Sequence, residues 1–216
     1  LRKSCRRIDP GCPVHYNVYG MKDATGRTAK VARKTRETDI TLTLDLDATG
    51  GAVRTGVAFF DHLLGSMAFH GRFRLDLEAK GDLAVDAHHL VEDTGLVLGQ
   101  AFAEVFAATG QVARFGHAVI PMDEALSEVA IDVCGRPTLA WRAAFSQGWV
   151  GSFDLSLLKE FFSAFASQAK ISLHAETRCG ENSHHMAEAL FKALGRALQQ
   201  AYRPAEAEMS SKGRIG

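Results

Sequence analysis

Polar and apolar residues alternate along residues 38–48 (TDITLTLDLDA), the period-two signature of a strand with one buried face, and Gly50-Gly51 follows as a turn signal. A hairpin is expected to start there. Apolar residues then recur at helical spacing over 59–70 (FFDHLLGSMAFH), alternation returns over 72–79, and Gly81-Asp82 marks another turn before 83–86. A long amphipathic helix is predicted over 89–107. The second half repeats this order. Strands are expected over 118–133 and 138–145, separated by Gly135-Arg136-Pro137, then a helix over 155–168, a strand over 171–177 and a long helix over 184–202. A repeat of roughly 90–100 residues is too long for a solenoid unit. The pattern predicts an α+β fold: an internal duplication of a module with an antiparallel sheet and helices packed on one face. The expected divisions are a poorly patterned leader at 1–30, a first α+β repeat at 31–110, a second at 111–205 and a C-terminal tail at 206–216.

Composition narrows the function classes. The 216 residues are 46% hydrophobic, enough for one sizeable core or two small ones. Lys plus Arg and Asp plus Glu both number 25, so no basic excess offers itself to nucleic acid, and a charged partner must be held by a local site. No apolar stretch approaches the ~18 residues of a membrane span, and no signal peptide is visible. Cys5, Cys12, Cys134 and Cys179 are scattered, without the close pairing of a zinc site. A reducing compartment is expected, the cytoplasm or an organelle stroma such as a plastid's.

The candidate chemistry lies in the histidines. Four of the nine form two adjacent pairs, His88-His89 and His184-His185, and each pair is followed three residues later by a glutamate, Glu92 or Glu188. The two motifs are 96 residues apart, matching the repeat. Each sits at the start of a predicted long helix, where His and Glu four or three residues apart come within reach of one another. Neighbouring helical residues project about 100° apart, so adjacent imidazoles do not close on one ion and each motif points at two places. One such pair alone reads as a capping or surface feature; its duplication with the same Glu offset points to a two-metal site. Imidazole and carboxylate donors suit Mn, Fe, Co, Ni or Zn, and the lack of thiolates argues against a closed structural zinc. His62, in FFDH, reads alone as a satisfied core histidine, yet it occupies the place in the first repeat that the Glu160 region occupies in the second. His70, His117 and His174 read as structural.

Over residues 32–213 the sequence resembles the imidazoleglycerol-phosphate dehydratase family, through RKTRETDI, FFDHLL, GDL-x-VDAHHLVEDTG, PMDEALSEVAIDVCGRP, GENSHHMAEALFKALGRALQQA and the closing SSKG. The resemblance implies a duplicated α+β fold, two manganese ions per active site, a particle of 24 subunits and active sites built between chains. It places metal ligands at His62, His88, His89, Glu92, His184, His185 and Glu188. An eighth ligand, a histidine in many members, falls at Glu160. A second departure is Ala87, where many members carry an acidic residue, so the orientation of His88 is expected to differ. The resemblance also implies that Glu37 stands beside the substrate as an acid-base or hydrogen-bonding group. It assigns Arg114, Arg136, Lys192, Ser210 and Lys212 to the substrate phosphate, a role suited to guanidinium forks, ammonium groups and hydroxyls. Each of these cations taken singly reads as a solvated surface charge.

The activity thus implied is removal of water from imidazoleglycerol phosphate to give imidazoleacetol phosphate in histidine biosynthesis. Two other classes use the same residue types: a binuclear metallohydrolase of a phosphoester, and a non-enzymatic assembly clamped by metal. Release of phosphate separates the first from a dehydratase, and the cations Arg114, Lys192 and Lys212 weigh against the second.

Overall fold

A computed structural model describes residues 26–205. The leader up to residue 25 and the tail with Ser210 and Lys212 lie outside the described residues. In the first half, β1 (Thr28–Lys34), β2 (Thr38–Asp45), β3 (Val53–Arg54), α1 (Ala58–Gly71), β4 (Arg74–Gly81) and α2 (His88–Thr109) follow in order. In the second, β5 (Phe115–Met122), β6 (Ala125–Asp132), β7 (Thr138–Arg142), α3 (Leu157–Ala169), β10 (Ser172–Cys179) and α4 (Ser183–Ala201) correspond to them one for one. The short pair β8 (Trp149–Val150) and β9 (Phe153–Asp154) has no counterpart in the first half.

Both sheets have the same order, β1-β2-β4-β3 and β5-β6-β10-β7. The edges are parallel: β3 with β4 and β7 with β10, the other pairings in each sheet being antiparallel. This modifies the all-antiparallel sheet expected from the alternation. The cause is a helix between the paired strands, since a crossover through α1 or α3 returns the chain in the same direction. Two local expectations also change. Residues 118–133 form two strands broken by a tight turn at Asp123-Glu124, where Asp123 takes a positive φ of 49°. Residues 83–86 form turns with Leu83 and Val85 exposed. The first strand begins at Thr28, inside the stretch set aside as leader, and pairs with all of 39–45.

The helices lie on the buried faces of the sheets, α2 against β1 and β2, α4 against β5 and β6. Each short helix packs on the long helix of the other half, α1 on α4 and α3 on α2. Two glycines permit this. A Cβ on Gly195 would stand 2.1 Å from the carbonyl oxygen of Met67, and one on Gly99 would stand 2.5 Å from that of Phe165. These are equivalent contacts: each glycine lies seven residues beyond its motif's glutamate, and each carbonyl five residues beyond His62 or Glu160. Phenylalanines seal the shared core, Phe161 stacking on Phe191 and Phe102 meeting Phe165 and Tyr202. The packing therefore carries His62 to the second motif and Glu160 to the α2 side of the molecule.

Candidate metal centre

Both His-His pairs open a helix in the same way. Asp86 Oδ1 accepts the His88 N–H at 2.8 Å, and Asn182 Oδ1 accepts the His184 N–H at 2.9 Å. These local turns satisfy a donor that every helix start leaves open, and they set the direction of the pair that follows. Asp86 supplies this contact with Ala87 at the helix cap, so the departure at Ala87 leaves the start of α2 anchored.

The first histidine of the second pair faces inward. His184 Nε2 lies 3.2 Å from Glu188 Oε2, and His62 Nε2 from α1 lies 3.0 Å from the same oxygen. One ligand atom from each of these three residues falls within 4.8 Å of the others. Lys192, one turn along α4, places Nζ 2.9 Å from Glu188 Oε1. Burial alone would raise the pKa of Glu188, but hydrogen bonds from His62 and Lys192 outweigh it and hold the carboxyl down at about 2. Two imidazole nitrogens and one ionised carboxylate converging from two helices are a fitting donor set for a divalent transition ion.

The same residues in the first half are more open. His88 Nε2 stands 3.8 Å from Glu92 Oε2, and both side chains are more than 40% exposed. Glu160, the counterpart of His62, is half-buried on α3 with no hydrogen-bond or ion-pair partner among the described residues.

The second histidine of each pair turns away from its neighbour, with ring planes at 80° and 84°. His89 directs Nδ1 to Asp82 at 3.1 Å, with Glu37 Oε2 at 3.7 Å; His185 directs Nδ1 to Glu124 Oε2 at 2.8 Å. These carboxylates raise both histidine pKa values, hydrogen bonding being the largest cause. An anchored Nδ1–H leaves the Nε2 lone pair for ligation, with Asp123 Oδ2 3.6 Å from Nε2 of His185. Asp82 and Glu124 were not singled out in the sequence. Their only signal was an acidic residue in a turn next to a motif element, which many turns share.

Glu37 sits in the β1–β2 turn. Its N–H donates to Thr35 Oγ1, and the adjoining Thr38 hydroxyl donates to buried Asp93 on α2. The turn is thereby tied to the first motif's helix. The residues expected at phosphate are dispersed. Lys192 is engaged with Glu188, and Arg114 makes a two-pronged contact with Asp132, at 2.7 and 3.2 Å. Arg114 precedes β5 and Arg136 follows β6, at the end of that hairpin away from Glu124. An eight-residue strand separates the two ends by about 27 Å. Likewise Arg114 follows the C-terminus of α2, about 33 Å from His88 along a 22-residue helix.

The sequence profile of the imidazoleglycerol-phosphate dehydratase family matches residues 55–198, which hold both motifs and the helices that join them. The chain belongs to this family. Imidazoleglycerol-phosphate dehydratases of Gluconacetobacter diazotrophicus and Phenylobacterium zucineum are 54% identical over 178 residues and 55% identical over 176. The matches cover 82% and 81% of this chain and 90% of each relative. Among solved structures, the Staphylococcus aureus imidazoleglycerol-phosphate dehydratase superposes with a TM-score of 0.76 at 36% identity, covering 82% of this chain and 99% of that one. The Pyrococcus furiosus enzyme, solved in complex with (S)-C348, gives 0.77 at 36% identity, covering 85% and 99%. Family membership and the α+β architecture thus agree with the sequence reading. No helix among the described residues is long and apolar enough to cross a membrane.

Proposed function

We propose that this chain dehydrates imidazoleglycerol phosphate to imidazoleacetol phosphate in histidine biosynthesis, with two manganese ions per active site. The observation that carries this reading is the convergence of His62, His184 and Glu188 from two helices, in a chain whose relatives bear the dehydratase name. His62, His184 and Glu188 would hold one ion, and His88, Glu92 and Glu160 the other. His89 and His185, whose rings stand at 80° and 84° to those of His88 and His184, supply the fourth ligand of each from a neighbouring chain.

The chemical difficulty is removing a proton from the weakly acidic middle carbon of the side chain while the hydroxyl on the carbon beside the imidazole ring departs. When bound, the ions would supply Lewis acidity that favours the imidazolate form of the substrate ring, whose electron density assists departure of the hydroxyl beside it. Glu37, held at its turn by Thr35 and by the Thr38–Asp93 contact, takes the proton of the middle carbon; the hydroxyl on the carbon beside the ring leaves and with that proton accounts for the water released, and the enol so formed tautomerises to the ketone. Arg114, Arg136, Lys192, Ser210 and Lys212 bind the phosphate. The separation of Arg114 and Arg136 from the motifs of their own chain supports a site completed between chains, in a homo-oligomer proposed to hold 24 subunits. The repeat boundaries at 31–110 and 111–205 and a cytoplasmic location belong to the same reading.

Turnover of imidazoleglycerol phosphate by the manganese-loaded protein, followed by absorbance of the enol or keto product and by free phosphate, tests the activity. Product without phosphate release is expected. Phosphate release without that product would make the protein a phosphoester hydrolase. Elemental analysis should find about two divalent ions per chain, and fewer than about one after purification in manganese would overturn the ligand assignment.

A further inference from the structure

The duplication pairs the two hairpin turns. Glu37 immediately precedes β2 and Glu124 immediately precedes β6, and each directs a carboxylate toward Nδ1 of the second histidine of its own repeat. The two have diverged. At His89 the close partner is Asp82, at 3.1 Å, and Glu37 stands back at 3.7 Å. At His185 Glu124 makes the bond to Nδ1 itself at 2.8 Å, while Asp123 Oδ2 stands 3.6 Å from Nε2. The other oxygen of Glu124 is occupied as well: Oε1 accepts the N–H groups of Glu181 at 3.1 Å and Asn182 at 2.8 Å, where the chain enters α4.

We infer that Glu124 is a positioning residue of the metal centre, fixing His185 as the Nδ1–H tautomer so that Nε2 is presented to a metal. The inference rests on the two-ion reading above. It follows from the donor inventory: a carboxylate whose second oxygen already accepts two backbone N–H groups can only accept from His185, so Nδ1 carries the proton and Nε2 the lone pair. Asp82 does this for His89 and releases Glu37, the matching glutamate of the first repeat, for acid-base work. Equivalent turn positions of the two repeats thus carry the same residue in two roles, one free for chemistry and one bound to orientation.

The substitution Glu124→Gln separates this role from a clamp on the helix start. The two backbone N–H groups require the amide oxygen, so the amide NH2 must face His185 Nδ1. Nδ1 then has to accept, the proton moves to Nε2, and the ligand lone pair is lost while the clamp persists. Manganese titration of the wild-type and E124Q particles, read by bound metal rather than turnover, should show affinity at one of two sites lowered 10- to 100-fold. The thermal midpoint of the metal-free variant should stay close to wild type. Wild-type binding of two ions with identical affinities in E124Q would overturn the role of Glu124 and leave the two-ion reading standing. Failure of the wild type to bind metal would overturn both. Should E124Q fail to fold, 15N-histidine spectra of metal-free wild type at alkaline pH decide: an Nε2–H tautomer at His185 refutes the inference, and an Nδ1–H tautomer supports it.

Discussion

The two halves carry the same His-His-x-x-Glu sequence on equivalent helices, yet they hold it differently. In the second half Glu188 is 10% exposed and gathers His62, His184 and Lys192 around it. In the first, Glu92 is 45% exposed and reaches His88 only at 3.8 Å. The difference traces to the third position, His62 on α1 against Glu160 on α3. An imidazole can donate to the motif's carboxylate and order it, whereas a second carboxylate adds like charge and orders nothing until a cation is present. A duplicated motif therefore yields one gathered cluster of possible ligands and one open set.

The strongest test of the comparison removes each motif in turn. His88→Ala/His89→Ala and His184→Ala/His185→Ala should each lose activity by about 10³-fold or more, because ligands of one site act as a unit. Metal removal should shrink the particle, since binding and assembly are linked. Mixing the two variants through a dissociated state with manganese should recover part of the activity. Full-size mixed particles without activity would show that each site is completed within one chain.

The helix crossings come next. Gly195→Ala drives a methyl group into the Met67 carbonyl and should cost about 2–3 kcal/mol in denaturant unfolding, with Gly99→Ala at Phe165 costing somewhat less. Gly195→Ala should also weaken metal at the set that includes His62, because it pushes α1 off α4. Equal metal affinity in a folded Gly195→Ala protein would show that this crossing does not place His62.

The two glutamates should respond unequally. Glu188→Gln leaves Lys192, whose side chain is 18% exposed, without its carboxylate and should destabilise the metal-free protein by about 1–3 kcal/mol. Glu92→Gln on the surface should stay within about 0.5 kcal/mol. The sign with pH follows from the depressed pKa of Glu188, about 2 against an ordinary 4.5. The unfolded chain takes up this proton first as pH falls, so the stabilisation is complete above about 4.5 and is lost progressively toward about 2. Acid titration of stability should show that slope in wild type and a shallower one in Glu188→Gln; matching slopes would contradict the role given to the His62 and Lys192 contacts.

The smallest effect is expected from Glu160→His, which makes the first half resemble the second. Manganese binding at the His88/Glu92 set should be preserved or tightened, by up to about 10-fold. Loss of metal or of folding would give Glu160 a different task.

The duplication, most element positions and the ligand types could be read along the chain because each is a local property. Period two marks 38–45, helical spacing marks 59–70, and a His-His-x-x-Glu spacing is visible wherever it stands. The break at Asp123-Glu124 was hidden because Pro121-Met122 continues the alternation into the turn, and β1 was hidden by its charged residues, Lys30, Arg33 and Lys34. The sequence by itself therefore determined that two His-His-x-x-Glu motifs exist and that the paired histidines of each project in different directions. Only the tertiary structure decided their partners: His62 meets the glutamate of the other repeat because Gly195 lets α1 close on α4, and Glu124 claims His185 because the β5–β6 turn folds against the start of α4. Those contacts join residues 61 and 126 positions apart, and no spacing rule reaches across a fold whose helices exchange sides.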